Sequence, residues 1–139
     1  MELARLIRDC AKLEGDFLLR SGVISNTYFD KYLFESDPKI LLKIATEMAA
    51  LVPPDTEILA GLEMGGIPVV TALSQVTGIP AAFIRKEAKE YGTCKYAEGP
   101  SLLNKKVTIV EDVVSSGGAI LDALSKLARR QRGQVLFRA

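Results

Sequence analysis

Three short stretches carry most of the side chains that could do chemistry. In Val107 to Ile120 (VTIVEDVVSSGGAI) an apolar run ends in two adjacent carboxylates, Glu111 and Asp112, followed by Ser115, Ser116, Gly117 and Gly118. A small-residue turn that opens a helix offers free backbone amides and the positive end of a helix dipole, which together favour an anion. The two hydroxyls add donors, and glycine lets a phosphate approach the backbone with no Cβ in the way. Carboxylates repel phosphate, so they fit beside such a cradle only by accepting hydrogen bonds from sugar hydroxyls. The same pattern also suits a solvated strand end and an ordinary helix-opening turn, since function is not fixed by such local geometry. It is not a Walker A loop, because no Gly-Lys-Ser/Thr follows, and no G-x-G-x-x-G occurs for a dinucleotide.

The second stretch, Arg85 to Thr93 (RKEAKEYGT), places Arg85, Lys86 and Lys89 close together on a polar segment after a predicted strand. Charges so arranged either gather an anion or form a solvated loop. The third, LLRSGVISNTYFDKYLFES, reads as a hairpin carrying Arg20 and the aromatic pair Tyr28-Phe29. A fourth, weaker signal is the turn GLEMGG, Gly61 to Gly66.

Absences narrow the chemistry further. The chain has no His, which excludes Ser-His-Asp triads, Cys-His dyads and imidazole bases. Its two Cys, Cys10 and Cys94, lie far apart without a Cys-x-x-Cys pattern, which argues against a disulfide framework or thiolate metal cluster and fits a reducing cytoplasm. The net charge of +1 (18 Lys+Arg less 17 Asp+Glu) argues against a general nucleic-acid binder. The opening MELARLIRDCAKLEGD is charged throughout, unlike a signal peptide. Met64 to Ile84 lacks charge, but its Gly, Pro, Ser and Thr residues read as strand–helix–strand and not as a membrane span.

The elements that must position these residues follow from pattern. At 139 residues, 48% apolar and 25% charged, the chain is expected to form one globular domain over residues 1–139. Leu3, Leu6, Ile7 and Cys10 repeat at helical spacing, with Gly15 as the expected stop. DFLLR and SNTYFD read as strands around Ser21-Gly22, and Asp37-Pro38 as a helix start whose apolar face is Ile40, Leu41, Ile44, Ala45 and Met48. From there β and α alternate: strand Glu57 to Gly61, a helix to about Thr77, strand AAFI, strand Val107 to Glu111, a helix with Ile120, Ala123, Leu124 and Leu127 on one face, and a last strand in QVLFR. Apolar strands alternating with helices predict an α/β fold, a parallel sheet flanked by helices.

Four hydrophobics, two acids, two hydrophobics, then Ser and Gly resembles the phosphoribosyl pyrophosphate (PRPP) motif of the type I phosphoribosyltransferases, and RK-x-x-K resembles the loop of the orotate phosphoribosyltransferases among them. The resemblance implies a type I fold with a small N-terminal hood over about residues 1–35. It implies that Glu111 and Asp112 contact ribose, that Val113, Val114, Ser115, Ser116, Gly117, Gly118 and Ala119 surround the 5-phosphate, and that Arg85, Lys86 and Lys89 bind pyrophosphate. Glu63 to Gly65 would meet the leaving group; Arg20, Tyr28, Phe29 and Ser115 would meet orotate. Lys89 and Asp112 would be the catalytic pair, with Lys89 acting across a homodimer interface. Many members carry His where this chain has Tyr91, which keeps a hydrogen-bond donor and loses the imidazole.

The implied reaction joins orotate to PRPP with Mg²⁺, giving orotidine 5′-monophosphate and pyrophosphate in pyrimidine synthesis. It needs no protein nucleophile and no His. The match runs to about residue 128; beyond it family members continue with further strands and an Arg for the orotate carboxylate, where this chain reads ARRQRGQVLFRA. On that ground an alternative is a PRPP-binding homologue with weak orotate turnover, or an enzyme for another base. Arg129, Arg130, Arg132 and Arg138 are the candidates for a substitute cation. Neither a nucleic acid nor a membrane is an expected partner.

Overall fold

The computed structural model describes residues 2–93, 95–130 and 136–138, and the chain divides into two compact units, Met1–Ile44 and Ala45–Ala139. Cys94 and Arg132 lie outside the described residues, as do the side chains of Arg130 and Arg138.

In the first unit, helix α1 (Glu2–Ala11) half-buries Leu3, Leu6, Ile7 and Cys10, the face read from their spacing. It does not run to Gly15. Strand β1 (Lys12–Leu18) begins at once and pairs antiparallel with β2 (Ile24–Phe29). The Asp30 N–H donates to the Ala11 carbonyl at 2.9 Å, so strand pairing takes over where helical periodicity alone would continue. Gly15 instead falls in an irregularity between Glu14 and Phe17, where the pairing register shifts. The hairpin turn forms around Ser21-Gly22 as expected, with the Gly22 N–H donating to the Leu19 carbonyl at 2.8 Å. A short helix α2 (Lys31–Glu35), capped by Asp30, has no counterpart in the sequence reading, being too short to show a period. Asp37 then starts α3 (Pro38–Ala49) by accepting from the Lys39 and Ile40 amides at 2.9 and 3.0 Å, and Ile44 and Ala45 are buried on the expected face.

The second unit is built on β3 (Ile58–Leu62), α4 (Gly66–Thr77), β4 (Ala81–Ile84), β5 (Ala97–Glu98), β6 (Lys106–Val110), α5 (Gly118–Arg130) and β7 (Leu136–Arg138). The sheet order is β5-β4-β3-β6-β7, parallel throughout except for β5. That edge strand corrects the purely parallel expectation. The chain leaves β4 at Ile84 and returns to pair Phe83 with Glu98 and Ile84 with Ala97, so it runs antiparallel without any crossover. Two residues carry no periodicity for sequence to reveal.

β3 is buried along its whole length, as a central parallel strand must be. Alternation divides its side chains: Ile58, Ala60 and Leu62 join a core cluster with Ala82, Ile84, Ala123 and Leu127. On the other face α4 lies so close that a Cβ on Gly61 would sit 2.5 Å from Val70 Cγ1. Helices therefore cover both faces, and the carboxyl ends of β3, β4 and β6 share one edge, the usual ligand side of such a sheet.

Candidate functional site

At that edge the β6–α5 turn forms an open pocket with about 250 Å³ of empty, solvent-open space, lined by Glu111 and residues 113–120. The predicted phosphate residues thus come together around one hollow at the start of α5. Ser116 Oγ accepts from the Gly118 N–H at 3.3 Å, while the Gly117 carbonyl accepts from Leu121 at 3.0 Å and starts the helix. Val113, Val114, Ser115 and Ser116 are exposed, so a ligand in the hollow meets backbone and hydroxyls directly.

The two acids are not equivalent. Glu111 lines the pocket, and its Oε1 accepts from the Asp112 N–H at 3.0 Å. Asp112 instead packs against the β3–α4 turn: a Cβ on Gly65 would lie 2.5 Å from Asp112 Cγ and 2.7 Å from Oδ1. Only glycine at position 65 leaves room for that carboxylate. The GLEMGG signal acquires its physical meaning here, because this turn brings β3 and β6 together at the acidic pair. The Glu63–Met64 peptide within it is cis. Glu63 also ties the turn to the end of β4: its N–H donates to the Ile84 carbonyl at 2.9 Å, and its carboxylate accepts from the Lys86 N–H.

Arg85, Lys86 and Lys89 follow directly on β4. Lys86 is exposed, whereas Arg85 and Lys89 converge on Glu98 of β5, at 3.3 Å from Arg85 Nε and 2.9 Å from Lys89 Nζ. These hydrogen bonds, that from Lys89 foremost, hold the Glu98 carboxyl below its ordinary range. The Lys89 ammonium also lies 5.8 Å from the Tyr91 ring centre. Lys126 of α5 clasps the start of the same segment, donating to the Lys86 carbonyl and the Glu87 carboxylate, both at 2.9 Å. Glu98 and Lys126 escaped sequence reasoning; each acts on a residue far along the chain, so no local spacing announces it.

Arg20, Tyr28 and Phe29 belong to the first unit. Arg20 is exposed at the hairpin turn. Tyr28 and Phe29 are neighbours on β2, so their side chains leave opposite faces: the Tyr28 ring lies 5.5 Å from Phe17, and the Phe29 ring 6.1 Å from Phe34. Both keep nearly half their surface exposed. No group of three or more metal-ligating side chains occurs among the described residues, and no described helix is long and apolar enough to cross a membrane.

The mostly parallel sheet carries an acidic pair and a pocket-lining, small-residue turn at the end of β6, and the phosphoribosyl transferase domain family matches residues 39–135. The chain belongs to that family. Within it the similarity is to the orotate phosphoribosyltransferases: that of Nocardioides sp. is 53% identical over 125 residues, covering 90% of this chain and 70% of the relative. The crystal structure of the Mycobacterium tuberculosis orotate phosphoribosyltransferase with Fe(III) dicitrate superposes with a TM-score of 0.80 at 30% identity, covering 92% of this chain and 75% of that one. The same enzyme in complex with PRPP gives a TM-score of 0.69 at 26% identity, covering 92% and 66%.

Proposed function

We propose that this chain is an orotate phosphoribosyltransferase, moving the 5-phosphoribosyl group from PRPP to a ring nitrogen of orotate and releasing pyrophosphate, a step of pyrimidine synthesis. The observation that carries this reading is the β6–α5 turn, an anion cradle beside an acidic pair, in a chain 53% identical to such an enzyme over nine-tenths of its length.

Displacement at the anomeric carbon passes through an oxocarbenium-like state, which needs no protein nucleophile and suits a chain without His. The cradle from Ser115 to Ala119 takes the 5-phosphate, and Glu111 accepts from ribose hydroxyls. Asp112, braced against Gly65, does the same from the rear of the site. Arg85, Lys86 and Lys89 neutralise the departing pyrophosphate, with Lys89 contributing most in the transition state and acting across a homodimer interface. Arg20, Tyr28, Phe29 and Ser115 are the residues assigned to the base. Mg²⁺ would bind through the oxygens of PRPP itself, without a dedicated cage of protein side chains, and would supply charge neutralisation on the leaving group. The cytoplasm is the compartment that suits the cysteine content.

The test is orotidine 5′-monophosphate formation from orotate and PRPP with Mg²⁺, with uracil and adenine as competing bases. Turnover restricted to orotate is expected. PRPP binding without orotate turnover would replace the enzyme with a PRPP-binding homologue, and turnover of another base would redirect the substrate.

A further inference from the structure

Glu98 holds a position that the transfer chemistry itself does not explain. A single carboxylate oxygen, Oε1, meets both Lys89 Nζ at 2.9 Å and Arg85 Nε at 3.3 Å. These are two of the three cations assigned to pyrophosphate, and the carboxylate oxygen offers each of them the charge-assisted partner that a pyrophosphate oxygen would offer. The partners are tethered differently. Glu98 sits on the sheet, its backbone paired opposite Phe83. Lys89 rides on the excursion between β4 and β5, where its own N–H makes a long bond of 3.3 Å to the Lys95 carbonyl. Its side chain is nevertheless only 17% exposed, so the carboxylate and the Tyr91 ring account for its place.

We propose that Glu98 is a positioning residue that stands in for pyrophosphate: it holds Lys89 and Arg85 in the ligand-free protein and yields Lys89 when PRPP arrives. The identity of the incoming anion rests on the function proposed above; the hold on the Lys89 segment does not. Substrate must break the Glu98–Lys89 pair before Lys89 can act, so the internal carboxylate competes with PRPP. In return the segment stays ordered between turnovers instead of offering Arg85 and Lys89 to any passing anion.

Glu98→Gln removes the charge with little change in shape, and Glu98→Asp keeps the charge on a shorter stem. In the ligand-free protein, amide hydrogen exchange over Lys86 to Thr93 should quicken about two- to five-fold in Glu98→Gln, the range expected of a partly exposed ion pair, and recover in part in Glu98→Asp. Calorimetric titration with PRPP and with pyrophosphate, each with Mg²⁺, should show tighter binding to Glu98→Gln by a similar factor. That gain should vanish when Lys89→Ala is already present. Unchanged exchange would overturn the hold. Equal or weaker binding, or a gain that persists without Lys89, would overturn the competition. If the unaltered chain bound neither anion, the proposed function would fail, and the exchange measurement would still decide the hold.

Discussion

The β6–α5 turn is shaped by backbone, whereas the segment after β4 is held by side-chain charge. In the first, a buried strand, a helix start and the close approach of Gly65 to Asp112 fix the geometry. In the second, Glu98 and Lys126 grip a polar stretch through ion pairs that water can compete for. A backbone-built turn is the kind of site that moves little on binding, which suits the phosphate role proposed for it. Charge pairs exchange partners readily, which suits the role proposed for this segment toward a leaving pyrophosphate.

If that division is right, the largest single effect belongs to the charged segment. Lys89→Ala should lower kcat by about 100- to 1,000-fold, the usual cost of losing one donor to developing charge, while PRPP affinity changes little. Steady-state kinetics beside calorimetry separates the two. Equal losses in both would make Lys89 a ground-state binder and the segment a static wall like its neighbour.

Asp112→Asn probes the backbone-built side. Losing a charged acceptor should weaken PRPP binding by about 1.5–3 kcal/mol, with kcat following only through binding. Calorimetry on the folded variant is the check, and unchanged affinity would remove Asp112 from the ribose. Gly65→Ala attacks the same contact from the other direction. The new methyl must displace Asp112, so stability should fall by about 1–3 kcal/mol in urea denaturation, with PRPP affinity falling alongside. A stable variant with normal affinity would mean that the turn yields easily, and the contrast with the charged segment would collapse.

The same contrast explains what was legible in the sequence. Acids, hydroxyls and glycines sit side by side from Glu111 to Ala119, so the residues that line the pocket could be picked out from adjacent letters. Strands and helices of the second unit were legible for a similar reason, since β3, β4, β6 and α5 each carry their own apolar pattern. Gly15 misled because α1 ends through pairing of β1 with a strand more than ten residues on, a partner that helical spacing does not register. β5, Glu98 and Lys126 were invisible for the same physical reason: the strand is two residues long, and the Lys126 contact to Lys86 spans 40 positions. Tyr28 and Phe29 read as one aromatic pair, yet strand alternation turns their rings to different neighbours.

Lys126 offers the smallest effect and the sharpest test of how the charged segment is held. It reaches Lys86 and Glu87 from α5, the helix whose first turn lines the cradle, so it links the two contrasted regions directly. Its hydrogen bonds to Glu87 and then Asp122 raise its pKa above the ordinary lysine value of 10.5. The clasp is therefore complete below that pH and is lost as pH rises through the higher folded value. Glu98 has the opposite sign: lowered from 4.5, chiefly by Lys89, its hold is complete above that value and is lost as pH falls through the lower folded one. Between those limits both grips act together, and the segment should be best protected there. Lys126→Ala should speed amide exchange at Lys86 to Ala88 by about two- to five-fold near neutral pH, with a smaller effect beyond Lys89, where Glu98 still holds. PRPP affinity should stay close to that of the unaltered chain, because the cradle does not depend on this side chain. A large loss of PRPP affinity in the folded variant would show that α5 transmits the state of the charged segment to the cradle, and the two regions would have to be treated as one mechanical element.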